Sequence, residues 1–254
     1  MSRIPPNHTV SVATSRKIFD DATRVHEDPS HPCRRFITLQ HGVSPDRWQL
    51  PIPFMGATAI KGVVFLGLNP SYDPNEASPR WGVGFDEWDT FWRSAFDAPS
   101  DTWPRLYRWY QRIGERAFGD FVLGRDALVL EIVHFRSERS EACDDPDVLQ
   151  HELPMTLALL TEVSPAVILC SGSKVLWRMR ELLPGLSRAL PDNYNIRAVE
   201  GEVLRCDAPW GPIAVIGARH LTGAFGWSAE GRLALGDAVR TAISELRLTA
   251  PSDH

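Results

Sequence analysis

The chain has 254 residues, of which 43% are hydrophobic, and a formal net charge of −5 at pH 7. This length and hydrophobic content are enough for a substantial core, in one large α/β domain or two small ones. The acidic balance argues against a protein that coats nucleic acid, although it does not exclude a local basic face.

No apolar stretch is long enough to cross a membrane, and the polar N-terminus lacks the apolar core of a signal peptide. We therefore expect a cytosolic protein that does not bind membranes. The cysteines are widely spaced and form no Cys-x-x-Cys pair, so we expect neither a metal nor another cofactor, although the sequence leaves sites built from His and carboxylates open. They are Cys33, Cys143, Cys170 and Cys206.

The first sixty residues carry weak secondary-structure signals. Residues 15–25 are predicted to form a short helix, residues 36–40 a strand, and residues 48–55 an extended stretch interrupted by proline. No segment is rich enough in Gly, Ser or Pro to act as a linker. We therefore predict a single domain and a monomer.

Within this single domain over residues 1–254, residues 1–14 are expected to be a flexible arm. Residues 15–60 are expected to be an N-terminal extension that packs on the core. Residues 250–254 are expected to be a tail.

Four runs of apolar, β-prone residues predict buried strands, at residues 63–66, 127–133, 166–170 and 212–217. Helix-like segments separate them, and polar or Gly-rich residues follow each one. This pattern predicts a three-layer α/β/α sandwich with a central, mostly parallel four-stranded sheet. In such sheets ligands bind at the carboxyl ends of the strands, so we expect one functional edge.

The residues at this edge carry a family resemblance. Gly67-Leu68-Asn69-Pro70-Ser71 follows the first strand, Gly84-Phe85 precedes a Phe-Trp pair, and His220-Leu221-Thr222-Gly223 follows the last strand. In this order the motifs resemble the uracil-DNA glycosylase superfamily, in the form of its mismatch-specific and thymine-DNA glycosylase branch. The resemblance covers residues from about 61 to 227.

The resemblance implies a set of site residues. Asn69 would place the attacking water, and His220 would assist departure of the base. The base pocket would include Gly67, Leu68, Pro70, Ser71, Phe85, Glu131 and Thr222. The DNA backbone and the wedge position would involve Ser171, Ser173, Lys174, Arg136, Arg219 and Phe225. The implied partner is double- or single-stranded DNA with a flipped base.

Three positions depart from the family pattern. Glu131 aligns where the family usually carries a base-reading Asn, and Leu221-Thr222 replaces the usual Pro-Ser. The wedge, usually Leu, falls on Ala224 or Phe225. These departures put the choice of base in question.

The chemistry itself favours these residue types. Hydrolysis of a base–deoxyribose bond needs a placed water, a donor that faces the departing base, and a pocket outside the helix. The side-chain oxygen of Asn69 can position a water, although Asn is a weaker base than Asp. A neutral His220 can donate a hydrogen bond to the base.

Two residues indicate which base enters. Ser71 is small and leaves room for a 5-substituted pyrimidine. Glu131, when ionised, accepts hydrogen bonds and suits the exocyclic amine of cytosine better than the O4 of uracil. Together they favour a cytosine-like or modified base.

The sequence leaves alternatives open. Asn69 can be a turn residue, His220 a structural cap, and Phe85 ordinary core. A non-catalytic module that binds a base or nucleotide on the same fold is the main alternative function. No Gly-x-Gly-x-x-Gly or Gly-x4-Gly-Lys-Ser/Thr loop follows the first strand, which counts against dinucleotide or triphosphate chemistry.

Overall fold

A mixed β-sheet forms the centre of the protein. The structure is a computed structural model and describes residues 8–40, 48–70, 78–137, 143–186, 190, 195–197, 199–222 and 227–249. Within these residues the sheet has six strands: β1 (Phe54–Met55), β2 (Val63–Gly67), β3 (Ala127–Glu131), β4 (Val167–Ser171), β5 (Val203–Ala208) and β6 (Gly211–Ala218).

The strand order is β1-β3-β2-β4-β6-β5. The four central strands, β3, β2, β4 and β6, run parallel, and their buried apolar runs are the four strands predicted from the sequence. The edge strands β1 and β5 pair antiparallel to β3 and β6. The α/β class is therefore confirmed, but the prediction of a four-stranded sheet is wrong, because it missed both edges.

Seven α-helices accompany the sheet in the part of the chain that is described. They are α1 (Val12–Glu27), α2 (Arg34–Leu39), α3 (Phe85–Arg93), α4 (Arg105–Phe118), α5 (Pro146–Val163), α6 (Ser173–Leu182) and α7 (Ala229–Thr249). None of them is long and apolar enough to span a bilayer.

The N-terminal region is helical. The hydroxyl of Ser11 accepts a hydrogen bond from the backbone N–H of Thr14 and so caps α1, which begins inside the predicted arm. The strand predicted at 36–40 is wrong, because these residues belong to α2 and the turn that follows it. Cys33, Phe36 and Ile37 are all buried, a spacing of three and four residues that is typical of a helix face.

Candidate functional site

Three central strands bring polar side chains to one edge of the sheet. Gly67, the last residue of β2, is in register with Glu131, the last residue of β3. Ser171 ends β4, where it pairs with Ala218 of β6. Because parallel strands end at the same edge, these residues form a row across the sheet.

Backbone hydrogen bonds continue this pairing beyond the strands. The N–H groups of Ile132 and Val133 donate to the carbonyls of Gly67 and Leu68 at 3.0 and 2.9 Å. Farther along, the N–H of Ser137 donates to the carbonyl of Pro70 at 3.2 Å. The segment after β2 is thus fixed to the segment after β3.

Asn69 is held in one orientation by this arrangement. Its side-chain nitrogen donates to the hydroxyl of Ser137 at 2.9 Å and to the carbonyl of Pro70 at 3.2 Å. A carbonyl can only accept, so the amide nitrogen must occupy this position. Within the residues described, the side-chain oxygen Oδ1 receives no hydrogen bond.

The Glu131 carboxyl lies directly over the backbone of Gly67. Glu131 is only 4% exposed. A Cβ atom added to Gly67 would come within 2.1 Å of Glu131 Oε2, so only glycine leaves room for the carboxyl at this place.

Three buried oxygens around Glu131 lack a well-aligned hydrogen bond within the described part of the chain. They are Glu131 Oε2, the Tyr110 hydroxyl and the Ser171 hydroxyl. Burial raises the pKa of Tyr110 well above its usual value, the charge of Glu131 adds to this, and a side-chain hydrogen bond with Ser171 opposes it, so the three groups are close neighbours. Buried oxygens without partners are rare in folded proteins, and a cluster of them indicates a site for a polar ligand or water.

The charge state of Glu131 follows from its burial. Burial raises its pKa to about 8, against the opposing charge of Arg136. The side chain therefore carries a proton at neutral pH. The preference for an amino-bearing base depends on an ionised Glu131, whereas a pKa of about 8 favours the protonated form at neutral pH.

His220 lies farther along the same edge. It follows β6, two strands from β2, which places it roughly 10 Å from Asn69 along the sheet. The side chain is exposed, and its Nδ1 lies 3.0 Å from the hydroxyl of Thr222. Partial burial lowers the pKa of His220, so the ring is neutral at pH 7 and can serve as a hydrogen-bond donor.

Arg232 of α7 fixes the backbone on both sides of the loop that follows His220. Its guanidinium donates to the carbonyl of Leu221 at 2.8 Å and to that of Trp227 at 2.7 Å. Phe225, the predicted wedge residue, lies outside the described residues, as does Ser71.

The cations predicted to contact DNA are engaged within the protein. Arg136 is 1% exposed, Arg219 forms an ion pair with Glu200 at 2.9 Å, and Lys174 forms one with Asp144 at 2.5 Å. A phosphate would have to compete with Glu200 and Asp144 for two of these cations, and it cannot reach the buried Arg136 in this conformation. Ser173, by contrast, is exposed at the first turn of α6.

Phe85 lies in a different environment from the one the resemblance implies. It is 5% exposed at the start of α3 and packs edge-on against Phe19 of α1. The guanidinium of Arg16 covers its ring at 3.5 Å. These contacts match the alternative interpretation of Phe85 as core, with one ring face covered.

Two residues of the site were missed from the sequence. Tyr110 lies on α4, where its ring stacks on Phe65 of β2 at 4.4 Å, and Ser137 holds Asn69. Neither stands in a motif, because tertiary packing alone brings them to the edge. Comparisons with protein-family models and with curated proteins give no match.

Proposed function

We propose that this protein is a DNA base glycosylase, which flips a damaged or modified base and hydrolyses its N-glycosidic bond. The observation that carries the proposal is the group of buried oxygens of Glu131, Tyr110 and Ser171 at the edge that also holds Asn69. Within the described residues Glu131 Oε2 has no hydrogen-bond partner, while the Tyr110 and Ser171 hydroxyls are close enough for a poorly aligned hydrogen bond. A flipped base needs a pocket of this kind, in which buried polar atoms gain partners only when the base enters.

The proposed reaction divides between the two ends of the edge. Asn69 Oδ1 accepts a hydrogen bond from the attacking water and orients it, while its nitrogen stays bound to Ser137 and Pro70. The neutral His220 donates a hydrogen bond to the departing base and stabilises the negative charge that develops there. Water supplies the hydroxyl that ends on the sugar.

A protonated Glu131 changes the expected base. A carboxylic acid offers one donor and one acceptor, as the amide of Asn does. This pair matches the O4 acceptor and the N3–H donor of uracil or thymine, which an ionised carboxylate, with no proton to donate, would repel. The same pair also meets the N3 acceptor and the amine of cytosine. We therefore propose that a keto pyrimidine is accepted as the substrate base, beside the amino-bearing base that the sequence favoured.

The proposed fold is a three-layer α/β/α sandwich. The chain passes from β2 to β3 through α3 and α4, and it returns across β2 to β4 through α5. Parallel crossovers are nearly always right-handed, so these oppositely directed connections lie on opposite faces of the sheet. In agreement with this arrangement, α4 packs against α7 and α5 against α6.

The alternative is a module that binds a base or nucleotide without cleaving it. The ion pairs that occupy Lys174 and Arg219 favour this alternative, because they weaken the case for tight binding of a DNA backbone. Asn69 is also a weak base. Formation of alkali-labile abasic sites in DNA distinguishes the two functions.

The test is a panel of oligonucleotides carrying uracil, mismatched thymine, hypoxanthine or a 5-modified cytosine, assayed under single-turnover conditions. We expect base release from the uracil or thymine substrate. Asn69→Ala should slow it at least ~100-fold, the scale of one lost transition-state contact. Equal rates for wild type and Asn69→Ala would exclude the proposed role of Asn69.

Gly67→Ala is a second variant that acts on Glu131. The added methyl group displaces the Glu131 carboxyl, so we expect a loss of similar size, ~100-fold. Gly84→Ala is the matched control, because a Cβ at Gly84 meets no atom within 4 Å. Equal rates in Gly67→Ala and Gly84→Ala would show that Glu131 does not contact the base.

A further inference from the structure

A second buried polar cluster lies away from the sheet edge, where the residue before α2 meets α5. Cys33 Sγ is 3.6 Å from Glu152 Oε1 and 3.8 Å from His151 Nδ1. His151 Nδ1 and Glu152 Oε1 are 2.8 Å apart. Cys33 and Glu152 are fully buried, so a thiol, an imidazole and a carboxylate converge inside the protein.

The orientation of His151 is set by Asp21 of α1. His151 Nε2 lies in an ion-pair contact with Asp21 Oδ2 at 3.2 Å, and the negative charge of that carboxylate favours a proton on Nε2. Nδ1 is thereby directed at Cys33 and Glu152. A histidine held from behind by a carboxylate is the usual second-sphere arrangement of a metal ligand.

A neighbouring set, Asp21, His31 and His151, also brings ligand atoms close together, but hydrogen bonding argues against it. The backbone N–H of Cys33 donates to His31 Nδ1 at 3.1 Å. A neutral His31 must therefore carry its proton on Nε2, the atom that faces Asp21 at 3.6 Å. A metal at His31 Nε2 would therefore displace the only proton of that ring, whereas His151 can lose the proton on Nδ1 and keep the one on Nε2.

We propose that Cys33 Sγ, His151 Nδ1 and Glu152 Oε1 bind a divalent cation of the zinc class. With Zn–S near 2.3 Å and Zn–N or Zn–O near 2.0–2.1 Å, tetrahedral ligand atoms lie about 3.3–3.6 Å apart. The three separations in the structure range from 2.8 to 3.8 Å, so small side-chain movements suffice. A thiolate with an imidazole selects zinc-like cations over magnesium or calcium.

Metal binding at this cluster would release two protons and so leave its net charge unchanged. The Cys33 thiol and the His151 Nδ1 each direct one proton at Glu152 Oε1. A divalent cation replaces these two protons, which leave to solvent, so the net charge of the buried cluster is unchanged. Glu152 Oε2 keeps its hydrogen bond from the backbone N–H of His134, at 2.8 Å.

A cavity of about 230 Å³ between α1 and α5 borders the cluster on the side of His151 and Asp21. Asp21 and His151 lie in its wall, together with Lys17 and Met155. Three protein ligands leave a fourth coordination position for water or a small ligand. The bound metal would tie α5 to the beginning of α2.

The experiment adds Co²⁺, and separately Zn²⁺, to the chelator-treated full-length protein. Binding of one equivalent is expected, with a thiolate-to-cobalt charge-transfer band. Cys33→Ser should lose the band and weaken binding at least ~100-fold, as for a lost ligand. Cys206→Ser, at a half-exposed cysteine outside the cluster, and His31→Gln should keep both.

Asp21→Asn tests the positioning role separately. We expect the charge-transfer band to remain and the affinity to fall ~10–100-fold, because Asp21 orients His151 without contacting the metal. X-ray absorption of the wild-type zinc form counts sulfur ligands directly, should Cys33→Ser fail to fold.

Absence of stoichiometric binding, or a zinc shell without sulfur, overturns the proposal. If His31→Gln loses metal binding and Cys33→Ser keeps it, the metal belongs to the set of Asp21, His31 and His151, and the proposal is also overturned. None of these results depends on base release, so they leave the glycosylase proposal untouched.

Discussion

Two glutamates of this protein are equally buried and have opposite charge states. Glu131, at the end of β3, has an oxygen without a well-aligned partner among the described residues, and burial raises its pKa to about 8. Burial acts on Glu152 of α5 in the same direction. There, however, the charge and hydrogen bonds of His134, with the hydrogen bond of His151, outweigh it and lower the pKa below its usual range.

The difference shows that burial alone does not decide what a carboxylate does. Glu152 accepts hydrogen bonds at both oxygens, so its charge is stabilised and the group joins two parts of the fold. Glu131 lies over Gly67 with an oxygen left unpaired. A carboxyl kept neutral in this way reduces stability at high pH and is poised for a ligand, which is why perturbed groups cluster at functional sites.

The largest expected effect at neutral pH comes from removing the charge of Glu152. Glu152→Gln leaves His134 without its anionic partner and removes one of the two carboxylates beside His151, and we expect a loss of about 3–5 kcal/mol in the free energy of unfolding. Denaturant titration in the presence of a chelator measures this without interference from metal. Asp237→Asn, which breaks an exposed ion pair with Arg116, is the control and should change stability little.

The stabilisation that Glu152 provides should decrease at low pH. Because the pKa of Glu152 is lowered in the folded state, its stabilisation is present above its ordinary value of 4.5 and is lost as the pH falls below it. The difference in free energy of unfolding between wild type and Glu152→Gln should therefore become smaller as the pH falls below 4.5. A constant difference down to pH 3 would contradict the lowered pKa.

For Glu131 the pH dependence of stability should have the opposite sign. The folded wild type holds a proton between pH 4.5 and about 8 that the unfolded chain releases, so its stability falls as the pH rises through this range. The Glu131→Gln variant lacks this dependence. Between pH 4.5 and pH 9 we expect wild type to lose roughly 5 kcal/mol relative to the variant, since the shift spans about 3.5 pKa units and each unit corresponds to about 1.4 kcal/mol. Equal stability at pH 5 and pH 9 in both proteins would argue against a neutral Glu131.

The sequence predicted the central sheet because its strands are buried on both faces and are therefore continuous apolar runs. β5 has no such run: Leu204 is buried and Arg205 is exposed, so its pattern is short and alternating. The strand expected at 36–40 failed because a run of aromatic and β-branched residues outweighed the helical spacing of Cys33, Phe36 and Ile37. These errors concern edges and short elements, where tertiary contacts decide the structure.

The sequence predicted the site residues that lie at strand ends, and it missed those that only the packing of other elements brings to the site. Asn69, Glu131 and Ser171 follow directly from strand boundaries. Tyr110 approaches Glu131 only because α4 packs on β2. The charge state of Glu131 was out of reach as well, because it depends on burial and on the absence of a partner, neither of which one sequence displays.

The smallest expected effect is on the pH dependence of the rate of base release. We expect it to depend on Glu131 and not on Glu152. If a protonated Glu131 reads the O4 of a keto pyrimidine, the rate of base release should follow the fraction of Glu131 that carries a proton. With a pKa of about 8, this fraction falls about tenfold between pH 7 and pH 9. Glu131→Gln keeps one donor and one acceptor at every pH, so its profile over this range should be flat.

Single-turnover rates on one uracil oligonucleotide, from pH 6 to pH 9, measure both profiles. The Asn69→Ala variant supplies the background of spontaneous and contaminating base release at each pH. Parallel profiles for wild type and Glu131→Gln would remove Glu131 from the base pocket. A wild-type rate that rises with pH would indicate that the ionised form of Glu131 is the active one, and would favour an amino-bearing base as substrate. A decline in wild type alone would show that the unpaired glutamate acts on substrate, because Glu152, with both oxygens bonded inside the fold, has no proton to lose in this range.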